Sequence, residues 1–152
     1  MESQSKQVGH LIDWNNNLDS SNRIADLLFN YKAYLGTVKV IIAGGRDFNN
    51  YDLLCRKADK ILSRQDEIEI VSGTAKGADK LGERYAEERG YPVKRFPADW
   101  GTWGNRAGYL RNEEMAEYGD ALIAFWNGTS RGTKHMIDIA TEQDLLIRII
   151  TY

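Results

Sequence analysis

Three turns rich in small residues contain the groups of this chain that are best suited to bind an anion. They span residues 44–45, 72–77 and 127–133, and two of them carry an arginine, with Arg46 directly after the first turn and Arg131 within the third. Small residues leave backbone N–H groups accessible, and such a turn before a helix favours phosphate binding. A single turn of this kind is equally typical of an ordinary strand-to-helix connection. The set of three predicts a crevice for a nucleotide or another phosphorylated ligand.

The candidate ligand-binding residues lie in these turns and in one helix that flanks them. They are Gly44, Gly45, Arg46, Ser72, Gly73, Thr74, Lys76, Gly77, Ala78, Asp79, Arg111, Asn112, Asn127, Thr129, Arg131, Gly132 and Thr133. Asp79 falls in the first turn of a predicted helix, where it either complements the helix dipole or binds a ribose hydroxyl. Arg111 is expected to reach a phosphate in a bidentate manner. Trp100 and Trp103 are expected to form a hydrophobic plug, with a lid that stacks on a base as the alternative.

Several common kinds of site are disfavoured. Neither residues 73–79 nor residues 128–134 contain the Gly-Lys-Ser/Thr ending of a Walker A loop, which argues against ATP hydrolysis. No Gly-x-Gly-x-x-Gly fingerprint follows the first predicted strand, which argues against an ordinary dinucleotide dehydrogenase. Two histidines and one cysteine without paired ligand spacing predict no metal site. No complete set of catalytic residues is visible, so no catalytic residue is assigned.

Apolar segments that alternate with helical patterns must position these turns. Strands are predicted at residues 38–43, 68–71, 93–96, 121–125 and 145–150. Helices are predicted at residues 51–63, 78–90 and 107–118, with a further one ending near residue 143, and residues 97–106 are expected to form a loop. Because the strands are apolar nearly throughout, the fold class is α/β, with a parallel sheet covered on both faces. The carboxyl ends of parallel strands share one edge, where open sheets bind ligands at a switch in strand order.

One domain, residues 37–152, is expected to follow an N-terminal extension, residues 1–36, that contains an amphipathic helix. This helix is expected to cover a sheet face or to make a subunit contact in a homo-oligomer. The formal net charge of −2 disfavours nucleic acid as a partner. No apolar run approaches the roughly 20 residues of a membrane span, so no membrane partner is expected. The lack of an apolar leader and the single cysteine predict a cytoplasmic location.

Four motifs together resemble the YspA-like branch of the SLOG superfamily over about residues 37–152. They are Val40-Ile-Ile-Ala-Gly-Gly-Arg-Asp-Phe48, Ile70-Val-Ser-Gly-Thr-Ala-Lys-Gly-Ala-Asp79, Gly108-Tyr-Leu-Arg-Asn112 and Gly128-Thr-Ser-Arg-Gly-Thr133. The resemblance implies a Rossmann-like, three-layer domain with a mostly parallel sheet of about five strands. It also implies binding of nucleotides or nucleotide-derived ligands.

Two better-known relatives refine this expectation. Residues 71–79 resemble the equivalent loop of DNA-processing protein A, which binds single-stranded DNA. Residues 111–115, 119–124 and 132–133 resemble the lonely-guy phosphoribohydrolases, which cleave the N-glycosidic bond of nucleoside monophosphates. That match implies that Arg111 lies at the ligand and that residues 132–133 bind its phosphate. The hydrolases carry a glutamate three residues later, but Met136 stands there in this chain and can neither carry charge nor transfer a proton.

The expected function is therefore binding rather than turnover. The ligand class is a phosphorylated, ribose-containing nucleotide, such as ADP-ribose or an NAD-derived signal, bound for sensing or sequestration. No cofactor is required for such a role. The alternatives are an enzyme of the phosphoribohydrolase type that uses another acid, and a single-stranded nucleic-acid-binding protein.

Overall fold

The computed structural model describes residues 36–152, so the predicted N-terminal helix lies outside the described part of the chain. The strands are β1 (Val38–Gly44), β2 (Ile68–Ser72), β3 (Val93–Arg95), β4 (Ala121–Trp126) and β5 (Leu146–Thr151). The helices are α1 (Tyr51–Leu62), α2 (Ala78–Arg89), α3 (Trp100–Trp103), α4 (Ala107–Tyr118) and α5 (Arg131–Glu142). A 3₁₀ turn, Gly104–Arg106, joins α3 to α4.

The five strands form one parallel sheet in the order β3-β2-β1-β4-β5. The chain moves from the central β1 outward to β3, then crosses back through α4 to β4 and continues outward to β5. The strand order therefore reverses between β1 and β4, where Gly44 is in register with Phe125. This arrangement confirms the predicted α/β fold with its parallel, five-stranded, Rossmann-like sheet.

Two apolar layers cover the two faces of the sheet, as the continuous hydrophobicity of the strands predicts. Alternate residues of β1 enter different layers: Val40 and Ile42 pack with α1 and α2, whereas Ile41 and Ala43 pack with α4 and α5. Each residue of this β1 segment is at most 6% exposed. Among residues 36–152, no helix is both long enough and apolar enough to cross a lipid bilayer.

Local sequence signals set the ends of two helices on the α1–α2 face. The side chain of Asn50 accepts a hydrogen bond from the Leu53 N–H at 3.0 Å and caps α1. Gly90 adopts the left-handed conformation at the end of α2, with φ of 75°, and its N–H bonds to carbonyls of the last helical turn. These two ends set the lengths of α1 and α2, whose apolar residues pack on the same face of the sheet.

The segment at residues 97–106 corrects a prediction. It was expected to be a loop, but it contains α3 and the 3₁₀ turn, with Asp99 capping α3 through a bond from the Thr102 N–H at 3.1 Å. Trp100 and Trp103 were expected to form a buried plug, yet they are 50% and 51% exposed. The plug prediction is wrong, because about half of each indole remains accessible to solvent at the protein surface.

Candidate functional site

A cleft of about 440 Å³ lies at the carboxyl edge of the sheet, where the strand order reverses between β1 and β4. Its volume falls within the range of pockets that hold small ligands. Four parts of the chain line it: the end of β1 with its turn, the turn and first residues of α2, the region from α3 into α4, and the start of α5. The lining residues are Ala43, Gly44, Gly45, Arg46, Asp47, Ala75, Asp79, Trp100, Asn105, Gly108, Tyr109, Arg111, Asn112, Met115, Ser130, Gly132, Thr133 and Met136.

The turn after β1 forms the floor of the cleft, and its glycines allow neighbouring backbones to approach. A Cβ atom on Gly44 would lie 2.3 Å from the carbonyl oxygen of Phe125, so only glycine fits beside β4. The Gly45 N–H donates to that same carbonyl at 3.1 Å, and the Gly45 carbonyl accepts from the Ala78 N–H at 3.2 Å. The first predicted turn is thus hydrogen-bonded both to β4 and to the start of α2.

Gly77 joins the first and second turns from the other side. Its φ is 79°, and a Cβ atom there would lie 2.2 Å from the Gly45 carbonyl oxygen and 2.7 Å from the backbone of Arg46. A side chain at this position would therefore combine an unfavourable backbone conformation with a direct clash. Gly77 is needed for the packing of the two turns, and it does not line the cleft itself.

The start of α5 presents backbone N–H groups to the cleft. Asn127 accepts hydrogen bonds from the N–H groups of Thr129 and Ser130, both at 2.9 Å, and this folds the turn that precedes the helix. Ser130 is the N-cap, and its hydroxyl lies 3.0 Å from the Thr133 hydroxyl. The first turn of α5 contains no acidic residue. Gly132 and Thr133 therefore place an uncompensated positive helix end at the cleft wall.

Asp79 lies in the first turn of α2, as Gly132 and Thr133 do in α5. Its side chain is buried, and one carboxylate oxygen accepts a hydrogen bond from the Ala75 N–H at 3.2 Å. Burial raises the pKa of Asp79 to about 6, although the Ala75 bond and the charge of Arg111 oppose that rise. The positive end of α2 is thus already paired with a carboxylate, whereas the first turn of α5 contains none.

Arg111 is held in place on the α4 side of the cleft. Its Nη1 donates to the carbonyl of Gly73, and its Nε donates to Asn112 Oδ1 at 3.0 Å. Burial lowers the pKa of the Arg111 guanidinium, as does the nearby charge of Arg46, whereas Asp79 raises it. The guanidinium stays charged at all physiological pH values. Arg111 is therefore a preorganised cation that two neighbouring elements orient.

Asn112 connects Arg111 to the start of α5. The Asn112 side chain is buried, and its amide nitrogen lies 3.3 Å from the Gly132 carbonyl and 3.2 Å from His135 Nδ1. Its oxygen accepts from Arg111, so the amide links the arginine to the backbone of the α5 wall. One side chain therefore contacts both the α4 wall and the α5 wall of the cleft.

The structure brings eight of the seventeen predicted residues to the cleft. These are Gly44, Gly45, Arg46, Asp79, Arg111, Asn112, Gly132 and Thr133. The other nine do not line it: Ser72, Gly73, Thr74, Lys76, Gly77, Ala78, Asn127, Thr129 and Arg131.

Several of these nine residues have clear structural contacts. Ser72 donates to Glu83 at 2.7 Å and accepts from the Thr74 N–H at 3.0 Å, so its hydroxyl organises the second turn. A Cβ atom on Gly73 would lie 2.7 Å from Arg111 Nη1, which explains why a glycine stands behind the arginine. Lys76 and Arg131 are both exposed, so their side chains extend to solvent from the turns.

Sequence reasoning missed several residues on α4 and at the start of α5. Gly108 and Met115 share one helical face with Arg111 and Asn112, because residues three, four and seven apart lie on the same side of a helix. Extending the helical pattern from Arg111 would have found both. Ser130 carried a signal as a favoured N-cap residue immediately before α5.

Comparisons with known proteins identify sequence relatives of this chain. The sequence profile of the YspA, cpYpsA-related SLOG family matches residues 38–103, which span β1 to α3 and include the first two turns. The chain is similar to the Gene 61 protein of Mycobacterium phage D29, with 36% identity over 107 residues. That similarity covers 64% of this chain and 83% of the phage protein. No solved structure matches the chain at a significant level.

Proposed function

Since this chain belongs to the YspA, cpYpsA-related SLOG family, we propose that it binds a phosphorylated, ribose-containing nucleotide in the cleft between β1 and β4. ADP-ribose and NAD-derived nucleotides are the ligand class that we favour, bound for sensing or sequestration. The proposal is supported by the family, by the position of the cleft at the reversal of strand order, and by the chemistry of its walls.

The observation that carries the proposal is the convergence of two arginines, Arg46 and Arg111, on one cleft whose lining also includes the carboxyl groups of Asp47 and Asp79. Arg46 and Arg111 lie close enough for the charge of Arg46 to lower the pKa of Arg111, so the two guanidinium groups repel each other. Asp79 is the carboxylate whose charge acts on Arg111, and Asp79 is itself buried with a raised pKa. A bound phosphate would relieve this repulsion and would accept charge-assisted hydrogen bonds.

The walls also suggest an orientation for the ligand. The phosphate would occupy the start of α5 at Gly132 and Thr133, where the helix end is uncompensated. A carboxylate repels phosphate but accepts hydrogen bonds from hydroxyl groups. Asp79 would therefore face the ribose hydroxyls rather than the phosphate, and Arg111 would lie between these two parts of the ligand.

Isothermal titration calorimetry with ADP-ribose, NAD and AMP tests the proposal. Arg46→Ala is expected to weaken binding about ten-fold or more, because a hydrogen bond between two charged groups is lost. Arg56→Ala is the matched control: it removes the same charge from an exposed arginine that pairs with Asp52 on α1, away from the cleft lining. Arg111→Ala is also expected to weaken binding. Arg111→Lys retains the positive charge but loses the planar guanidinium with its paired N–H donors.

Two outcomes would contradict the proposal. One is the absence of binding heat from folded wild-type protein with every nucleotide in the panel. The other is an equal loss of affinity in the Arg46→Ala and Arg56→Ala variants, which would indicate a general charge effect and no defined site.

A second candidate function, cleavage of an N-glycosidic bond, is favoured by one observation. Asp79 is a buried carboxyl group in the cleft with a pKa raised to about 6, a value suited to proton transfer near neutral pH. Met136 lines the same cleft but supplies no proton. Chromatography of nucleoside monophosphates after incubation would detect a released base, and Asp79→Asn is expected to abolish its release. Unchanged nucleotide at high protein concentration would exclude this function.

A further inference from the structure

Two large aromatic side chains remain exposed at the rim of the cleft. Trp100 is 50% exposed and Tyr109 is 44% exposed, and both line the cleft. Trp103, on the same short helix as Trp100, is 51% exposed but does not line the cleft. The cleft therefore combines charged walls with an accessible indole, and aromatic side chains of this kind are common platforms for bases.

We infer that Trp100 stacks against the base of the bound nucleotide, so that the site selects nucleotides over sugar phosphates that lack a base. This inference rests on the proposed nucleotide site and adds the base, the part of the ligand that Arg111, Asp79 and the α5 wall do not contact. Stacking uses the face of the base and not its edges, so the site is expected to tolerate different bases.

The spacing of Arg46 and Trp100 supports this assignment. The Arg46 guanidinium carbon lies over the Trp100 ring, 6.0 Å from its centroid. Groups in van der Waals contact lie about 3.5 Å apart, so a flat base between the two would need about 7 Å. The observed 6.0 Å between Arg46 and Trp100 is too wide for the two groups to be in van der Waals contact, and it is about 1 Å too narrow for a base to fit between them. Arg46 is exposed and its side chain has freedom to make that small adjustment.

The backbone of α4 supports the indole from its edge. A Cβ atom on Gly108 would lie 3.4 Å from Trp100 Cη2, which is ordinary van der Waals contact at its close limit. Trp100 is therefore seated beside α4, one turn before Arg111 on that helix. Tyr109 is also held, because its ring lies edge-on to His135 with centroids 4.6 Å apart. The aromatic rim thus lies against α4, the helix that also carries Arg111.

Calorimetry with AMP, ribose 5-phosphate and inorganic phosphate separates the two halves of the site. Wild-type protein is expected to bind AMP roughly ten-fold or more tightly than ribose 5-phosphate, the effect of one stacked base. Trp100→Ala is expected to abolish this preference, so that AMP binds no more tightly than ribose 5-phosphate. Trp100→Phe should restore part of the preference. Trp103→Ala is the matched control and is expected to behave as wild type.

The outcomes distinguish this inference from the proposed function. Equal binding of AMP and ribose 5-phosphate by wild type would overturn base stacking and leave the phosphate site standing. An equal effect of Trp100→Ala and Trp103→Ala would overturn the assignment to Trp100, again without affecting the phosphate site. Failure of all three probes to bind folded wild-type protein would overturn the nucleotide site and, with it, this inference.

Discussion

Replacement of Asp79 by asparagine is expected to stabilise the protein at neutral pH and to weaken its binding of nucleotide. The side chain of Asp79 is only 4% exposed, and burial raises its pKa from 3.8 to about 6. In the unfolded chain the carboxyl ionises freely, so folding at neutral pH carries the cost of burying that charge. Asparagine retains an oxygen that can accept the Ala75 N–H bond without the charge.

The magnitude follows from the difference between the two pKa values. About two pKa units correspond to roughly 3 kcal/mol, since each unit is worth 1.36 kcal/mol. The sign of the effect on stability follows because the pKa of Asp79 is higher in the folded state than in the unfolded state. Below pH 3.8 the group costs nothing, because it is protonated in both states. The cost then grows as the pH rises and is complete above about pH 6.

Urea unfolding, followed by circular dichroism between pH 4.5 and 7.5, measures this effect. The free energy of unfolding of Asp79→Asn, relative to wild type, is expected to increase by about 2 kcal/mol across that range. The new amide N–H₂ group adds a constant offset but no pH dependence in this range. Asp138→Asn, which changes an exposed carboxylate that pairs with Lys134, is the control and is expected to show a much smaller change.

Parallel pH profiles for wild type and Asp79→Asn would refute the reasoning. They would show that the carboxyl titrates alike in the folded and unfolded states, so that its burial has no energetic consequence. The binding measurement provides the second half of the prediction. If Asp79 faces the ribose, the more stable variant binds nucleotide more weakly, because a neutral amide is a weaker acceptor than a carboxylate.

Two further substitutions test how the first turn is positioned. Gly77→Ala is expected to destabilise the protein by roughly 1–3 kcal/mol, because a left-handed backbone and a clash with the Gly45 carbonyl act together; an unchanged urea midpoint would contradict this. Tyr152→Phe removes the hydroxyl that donates to Asp47 at 2.6 Å and is expected to cost about 1 kcal/mol. It should also weaken nucleotide binding by loosening the turn that carries Arg46, and unaltered affinity in calorimetry would show that the turn is rigid without Tyr152.

The sequence by itself determined the local elements and the chemistry that they carry. The apolar strands indicated a parallel sheet covered on both faces, because a strand buried on two sides cannot alternate with polar residues. The caps at Asn50 and Gly90 follow from residue type, since both depend on interactions with near neighbours in the chain. The glycine turns were likewise visible, as were the arginines that lie near them.

Tertiary structure decided which of those residues meet. Strand order is non-local, so no local pattern could show that the turns after β1 and β4 enclose the cleft together while Lys76 and Arg131 extend to solvent. The raised pKa of Asp79 arises because α2, α4 and the Gly73 backbone exclude water from one carboxylate. The exposure of Trp100 at the rim depends on how a four-residue helix packs against α4. Side-chain type can be read from sequence, but burial and direction come from contacts between residues distant in the chain.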